Sequence, residues 1–410
     1  MKDLLADSTS GVEKHSILLS VLIYIYYILD LYLRTTNSQP LFLIWTSIGY
    51  VGVLYVILKK EIKIKYILLL NVLMFSMMLS SLFMGNMQLL GIFFNIQYLG
   101  IAFIISESKL NVKVMTILVY SNLFFFLYQI LIGTDPNHVF FASRNHISTV
   151  LLNVLAIYYI TSYRNKGNLN ILPALLALII SIWSVSRSGM VSISLFFIGL
   201  IIMKLFQKQP LFKEKQTKKK INNIFSKTFV LLLIIAVIVY IFRNFYIIQS
   251  MLDSVNNNFK LLRFRIKYES YISFSRIDII KSYLHEMSIN LKNCVFGVKL
   301  STTHSFLDFS NNLHNSYLTA HMYFGLLGFL GIIIMICFTV ISYLKQKKWL
   351  YLLLFVTVLV RVSTDIIAFP GYMDSVIYFF ILDALNRTSA HSKKKKKDII
   401  ELAQVNLEVN

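Results

Sequence analysis

Two arginines and a histidine stand where this chain passes from polar to apolar sequence. Arg187 lies in SVSRSG between two apolar runs, and Arg144 lies in ASRNH just ahead of another. An arginine within or beside hydrocarbon is expensive and calls for a partner or a task. Its guanidinium stays charged at any relevant pH and matches phosphate oxygens two at a time. The competing account is an arginine that snorkels to the membrane interface. That account weighs less for Arg187 than for Arg144, where the two readings balance. His314 lies in NNLHNSYL, where a long polar stretch gives way to an apolar run. A neutral imidazole at a helix start can take up a proton near neutral pH. The partial positive charge of a helix N-terminus disfavours the protonated form and keeps the base available. Judged by spacing alone, a structural role is the commoner fate of a single histidine.

Other polar residues within apolar runs invite plainer readings. Arg361 precedes Asp365 by four residues, so the two share a helix face and an internal ion pair is expected. Asp30 and Asn71 are assigned to packing. His314 and His321 also share a face but lie two turns apart, roughly 10 Å, too far for one ion. His285 and His304 bring few carboxylates with them, so no metal site is expected. Cys294 stands in a polar run and Cys337 in an apolar one, so no disulfide framework is implied. There is no zinc spacing, no phosphate-binding glycine loop and no dinucleotide fingerprint.

These residues need elements to hold them, and composition says what kind. The chain has 410 residues, 57% of them hydrophobic and only 14% charged, with a mean hydropathy of +0.66. A water-soluble fold cannot hide that much apolar surface. The net charge of +21 would suit nucleic acid, but the charges sit in the gaps between apolar runs, as in membrane proteins. No nucleic-acid partner is expected, and no cleavable signal is evident. Spans are expected at 16–33, 41–58, 66–84, 87–105, 112–132, 146–163, 169–186, 188–206, 228–243, 316–344, 349–366 and 371–385. The fold class is therefore an all-α polytopic membrane protein with about twelve spanning helices. The pair 169–186 and 188–206 forms a tight hairpin with Arg187 at its tip.

Alternate loops are crowded with lysine, as at Lys59, Lys60, Lys63 and Lys65 and again along Lys204–Lys227. The opposite short turns hold only Arg34, Arg144 and Arg187. This asymmetry predicts both termini on the cytoplasmic side. The regions are then 1–243 with nine spans, 244–315 as one large extracytoplasmic loop, 316–385 with three spans, and 386–410 as a basic tail. The tail run Lys393–Lys397 suits anionic lipid. Long loops escape the charge rule and are common seats of function. Within this loop, Ile277, Ile280, Leu284, Met287 and Leu291 repeat as on one helix face, with Lys281, His285 and Glu286 opposite. Upstream, apolar and basic residues alternate over 262–268, as in a strand or an interfacial segment.

Taken in order, these stretches resemble the O-antigen ligase and polymerase superfamily, which includes the Wzy-type polysaccharide polymerases. Four features carry the resemblance: SRSG at 186–189, SRIDIIKSYL from Ser275, NCVFGVKL from Asn293, and LHNSYLTAHMYFGLLGFLG from Leu313. It covers about 140–345 by motif and the remainder by span count. The third stretch departs from the family's turn, with Cys294 where proline is usual and Lys299 where a second glycine is common.

The resemblance implies an inverting, metal-independent glycosyl transfer on the outer face of a bacterial cytoplasmic membrane, with no cofactor. The donor it implies is an oligosaccharide repeat unit on polyprenyl pyrophosphate. It assigns His314 as the base that takes the acceptor hydroxyl proton, and Arg187 and Arg276 as pyrophosphate ligands. Arg144 joins them by position, with Asn315 and Ser188 as supporting neighbours. The expected partners are polyprenyl-pyrophosphate-linked oligosaccharides, the lipid bilayer and a chain-length regulator protein. Fixed arginines stabilise charge on a departing pyrophosphate, and a positioned base typically contributes about 10²–10⁴-fold. A ligase with another acceptor shares this mechanism. A flippase for the same lipid-linked glycan is the alternative of another class, although no half-chain symmetry supports it.

Overall fold

A computed structural model describes residues 2–58, 64–86, 89–140, 143–165, 169–206, 274–299 and 313–386. Most of the described residues are helical, and none of them forms a strand. In chain order the helices are α1 (Lys2–Thr36), α2 (Gln39–Leu58), α3 (Ile64–Met84), α4 (Leu89–Glu107), α5 (Val112–Leu131), the short α6 (Pro136–Val139) and α7 (Asn145–Arg164). They continue with α8 (Leu172–Trp183), α9 (Arg187–Phe206), α10 (Phe274–Ile289), α11 (Leu291–Phe296), α12 (Ser316–Lys345), α13 (Trp349–Val362) and α14 (374–386).

Among the described residues, five helical stretches are long and apolar enough to cross a membrane: Ser16–Thr36, Gln39–Leu58, Val112–Leu131, Arg187–Leu205 and Ser316–Lys345. Two of them turn a continuous apolar stripe outward. Val191, Leu195, Ile198, Ile202 and Leu205 are exposed along α9, and Leu327, Leu330, Ile334, Cys337 and Ile341 along α12, both at spacings of three and four. An apolar stripe facing outward on a helix is a liability in water and the ordinary surface in lipid. The inside is different. Residues 147–162 of α7 are buried on every side. This helix packs against α5, α8, α9 and α13, and it carries Ser148, Thr149 and Asn153 into the interior.

Three expected spans are shorter than their apolar runs. The run 169–186 becomes α8 followed by a turn at 184–186, 349–366 becomes α13, and 371–385 becomes α14 starting at residue 374. Between the last two, residues 363–373 form a non-helical loop that is itself packed inside, with Ile367, Ala368, Phe369 and Met373 buried. Irregular backbone is tolerated at such depth only when protein surrounds it and its polar groups are met. They are met here: Asp374 Oδ1 accepts from Phe369 N–H and Asp374 Oδ2 from Gly371 N–H, each at 2.9 Å.

The expected helix in the large loop is present as α10, but a different face is buried. Ile279 and Tyr283 pack inward, with Met287 against them, while Leu284 and Leu291 are exposed. Tyr283 is tied to α12 through His321. His321 Nε2 lies 2.8 Å from the Cys294 carbonyl, which can only accept, so the ring proton sits there. The Tyr283 hydroxyl then donates to His321 Nδ1 at 2.8 Å. Burial pushes the Tyr283 phenol well above its ordinary range, so it keeps the proton it donates. At the same junction Gly297 has φ 96°, and a Cβ there would lie 2.5 Å from the Met322 carbonyl oxygen. Only glycine meets both demands. The span 228–243, the alternating stretch 262–268, His304 and Lys393–Lys397 lie outside the described residues.

Candidate functional site

The segments that carry Arg144, Arg187 and His314 meet at one end of the bundle. Arg187 is the first residue of α9 and is exposed. The residue before it, Ser186, donates from Oγ to Asn145 Oδ1 at 3.0 Å, joining the SRSG turn to the start of α7. Gly189 lets the two helices touch, because a Cβ there would strike the Ser148 side chain. Close approach through a small residue is a common mode of helix pairing in membranes. Arg144 immediately precedes Asn145 and is half-buried, and Ser188 is half-buried in the first turn of α9.

Arg361 joins α7 to the loop after α13. Its side chain is fully buried. Nε donates to Ser148 Oγ at 3.1 Å, and Nη2 donates to the Asn145 carbonyl at 2.8 Å and to Asp365 Oδ2 at 3.3 Å. The expected ion pair therefore exists, and it extends across to α7. Asp365 then leads to the histidine segment. Ser316 Oγ donates to the Asp365 carbonyl at 2.6 Å and accepts from Ile367 and Ala368 N–H at 3.1 Å. Asn315 Nδ2 donates to the Ser363 carbonyl at 3.0 Å. Asn315 also caps α12, its Oδ1 accepting from Tyr317 N–H at 2.8 Å. His314 precedes that cap. Asn315 thus acts through the backbone, holding the turn that carries His314.

Two of the candidate segments hold strained backbone. Val185, two residues before Arg187, has φ 52°, and His314 has φ 46°. For a β-branched residue such as Val185 this is a genuine outlier. Strain of this kind costs on the order of 1–3 kcal/mol and persists only when the surroundings over-determine it, often at functional sites. The network around Asn145, Arg361 and Ser316 supplies that constraint. Arg276 lies in the first turn of α10; its side chain lies outside the described residues.

A second polar group adjoins the first and has little signature in the sequence. Arg34, expected in an outer turn, lies in the last turn of α1 with its side chain buried. Its Nε and Nη2 donate to Asp30 Oδ2 at 3.2 and 3.1 Å, so the packing role given to Asp30 is that of a counter-ion. The guanidinium lies 3.6 Å from the centre of the Tyr372 ring and donates to His146 Nδ1 at 2.8 Å. The four-residue step from Asp30 to Arg34 was the only readable hint, since His146 and Tyr372 lie far along the chain. At the opposite end, Arg164 pairs with Asp383 at 3.0 Å and donates to Tyr351 Oη at 3.1 Å. Among the described residues no three His, Cys, Asp or Glu side chains cluster as metal ligands.

No family model, curated protein or solved structure matches this chain.

Proposed function

We propose that this protein is an inverting glycosyltransferase that polymerises polyprenyl-pyrophosphate-linked oligosaccharide repeat units at the outer face of a bacterial cytoplasmic membrane. In this reading twelve helices span the bilayer, both termini are cytoplasmic, and residues 244–315 form an outer loop. His314 takes the proton from the acceptor hydroxyl as that oxygen attacks the anomeric carbon. The bond from that carbon to the pyrophosphate oxygen breaks, and the pyrophosphate leaves with the electron pair. Arg187, Arg144 and Arg276 bind the departing anion, whose growing charge a fixed guanidinium stabilises without reorganising.

The observation that carries this reading is the buried Arg361–Asp365 pair. It ties the turns bearing Arg187 and Arg144 to the turn bearing His314 at one end of the bundle. A base and its anion ligands need such fixed mutual placement. The apolar girdle supports a substrate carried on a lipid, since the polyprenyl tail can stay in the bilayer while its head reaches the end of the helices.

The test is reconstitution of the full chain into liposomes with lipid-linked repeat units extracted from a producing strain. The wild type is expected to yield a ladder of polymer lengths. His314→Ala and Arg187→Ala are expected to insert normally and yield single units only. Single units transferred to a different acceptor would favour the ligase. Units moved across the membrane but never joined would favour the flippase.

A further inference from the structure

Beside the proposed transfer site, the tautomer of His146 is set by a neighbour that can only donate. Guanidinium nitrogens carry no acceptor, so the 2.8 Å contact from Arg34 Nη1 requires His146 Nδ1 to be bare. The ring proton of the neutral imidazole is then on Nε2. Arg34 cannot swing away, because Asp30 takes Nε and Nη2 and the Tyr372 ring lies against its face. The His146 ring also meets the Tyr372 ring edge to face, at 5.8 Å and 90°. Asn153 Nδ2 in turn holds the Tyr372 carbonyl at 3.0 Å. Among the described residues no hydrogen bond occupies His146 Nε2, and the side chain is only half-buried. The result is a rigid, uncharged N–H donor at the end of the bundle that carries Asn145 and Arg361.

The charge around this donor indicates what it receives. Arg34 is answered by Asp30, and Arg361 by Asp365. Each of these two guanidiniums is thus matched by a carboxylate and adds no net charge for a polyanion. An uncharged, oxygen-rich group suits the His146 donor, while a phosphate needs cations such as Arg144 and the exposed Arg187. We propose that His146 is a sugar-binding residue, its Nε2–H donating to an oxygen of the glycan while the pyrophosphate lies on the arginines. This rests on the glycosyltransferase reading and adds a separate glycan contact to it.

Two measurements test the claim. In the first, selectively ¹⁵N-histidine-labelled full chain in nanodiscs is examined by NMR. His146→Gln identifies the resonance, which is expected to report the Nε2–H tautomer and to shift when lipid-linked repeat units are added. In the second, the liposome assay compares His146→Ala with His146→Gln. Glutamine can place an N–H near the Nε2 position, whereas alanine cannot. Alanine is expected to lower kcat/KM by about two- to tenfold, the worth of one neutral hydrogen bond, with the loss in KM more than kcat. Glutamine is expected to recover most of it. An Nδ1–H tautomer, a resonance unmoved by the glycan, or equal activity of the alanine and glutamine variants would overturn the proposal. A wild type that leaves units unjoined would overturn the glycosyltransferase reading and this claim together. A wild type that polymerises while the two variants behave alike would overturn this claim alone.

Discussion

Replacing Arg361 by methionine removes a charge of similar bulk from the centre of the network. Its consequences follow from what is left behind. The Asn145 carbonyl, Ser148 Oγ and Asp365 Oδ2 each lose a donor. Breaking a buried pair from one side typically costs about 3–5 kcal/mol, because the remaining charge is uncompensated. Asp365 is not wholly stranded: its side chain is 15% exposed, and Oδ1 still accepts from Ile366 N–H at 2.9 Å. The expected cost therefore lies at the low end, about 3 kcal/mol. A double-mutant cycle separates the charge from the packing. Asp365→Asn removes the stranded charge, so the pair of substitutions should cost less than the sum of the singles, by about 1–3 kcal/mol. Equilibrium unfolding in mixed detergent micelles measures all four proteins. Polymer formation should fall steeply in Arg361→Met even where the protein remains folded, because the turn bearing His314 is held through Asp365 and Ser316. Strict additivity, or a variant as stable and active as the wild type, would refute the idea that this pair ties the site together.

Other substitutions separate the two ends of the molecule. Arg164→Met breaks the ion pair at the far end and is expected to cost about 3 kcal/mol of stability, yet leave polymer length per folded molecule unchanged. Gly189→Val drives a branched side chain into Ser148 and should lower both stability and polymer yield, as read by folded fraction and the liposome ladder. Arg187→Lys keeps the charge but loses the two-pronged fork, so its polymer yield should stay far below wild type. Tyr283→Phe leaves His321 Nδ1 without its donor and should cost about 1–3 kcal/mol, measurable by the same unfolding assay.

Much of the helical frame was readable because apolar runs of spanning length have few alternatives. The expected spans 112–132, 146–163, 188–206 and 316–344 match α5, α7, α9 and α12 to within a residue or so. The two shortened spans on either side of residues 363–373 share one cause: Ile367, Ala368, Phe369 and Met373 are apolar and buried in a loop, and a buried loop reads like a helix when only hydropathy is counted. The face of α10 was misread for a related reason. Where a helix has apolar residues on both its packed and its outer side, periodicity alone cannot say whether Leu284 or Tyr283 points inward. Of the site, the arginine and histidine turns were legible through residue type and their position at the ends of apolar runs. Arg361 was legible only as half of a local pair. That it reaches Asn145, and that Arg34 reaches His146, depends on contacts between residues far apart in the chain, which leave no local pattern.

The most direct test uses single cysteines at positions 187 and 314 in a background lacking Cys294 and Cys337. In whole cells, both should react with a membrane-impermeant thiol reagent added from outside, and a bifunctional reagent spanning about 10 Å, two helical turns, should join them. Labelling from opposite sides, or no cross-link at that reach, would contradict a shared outward-facing pocket.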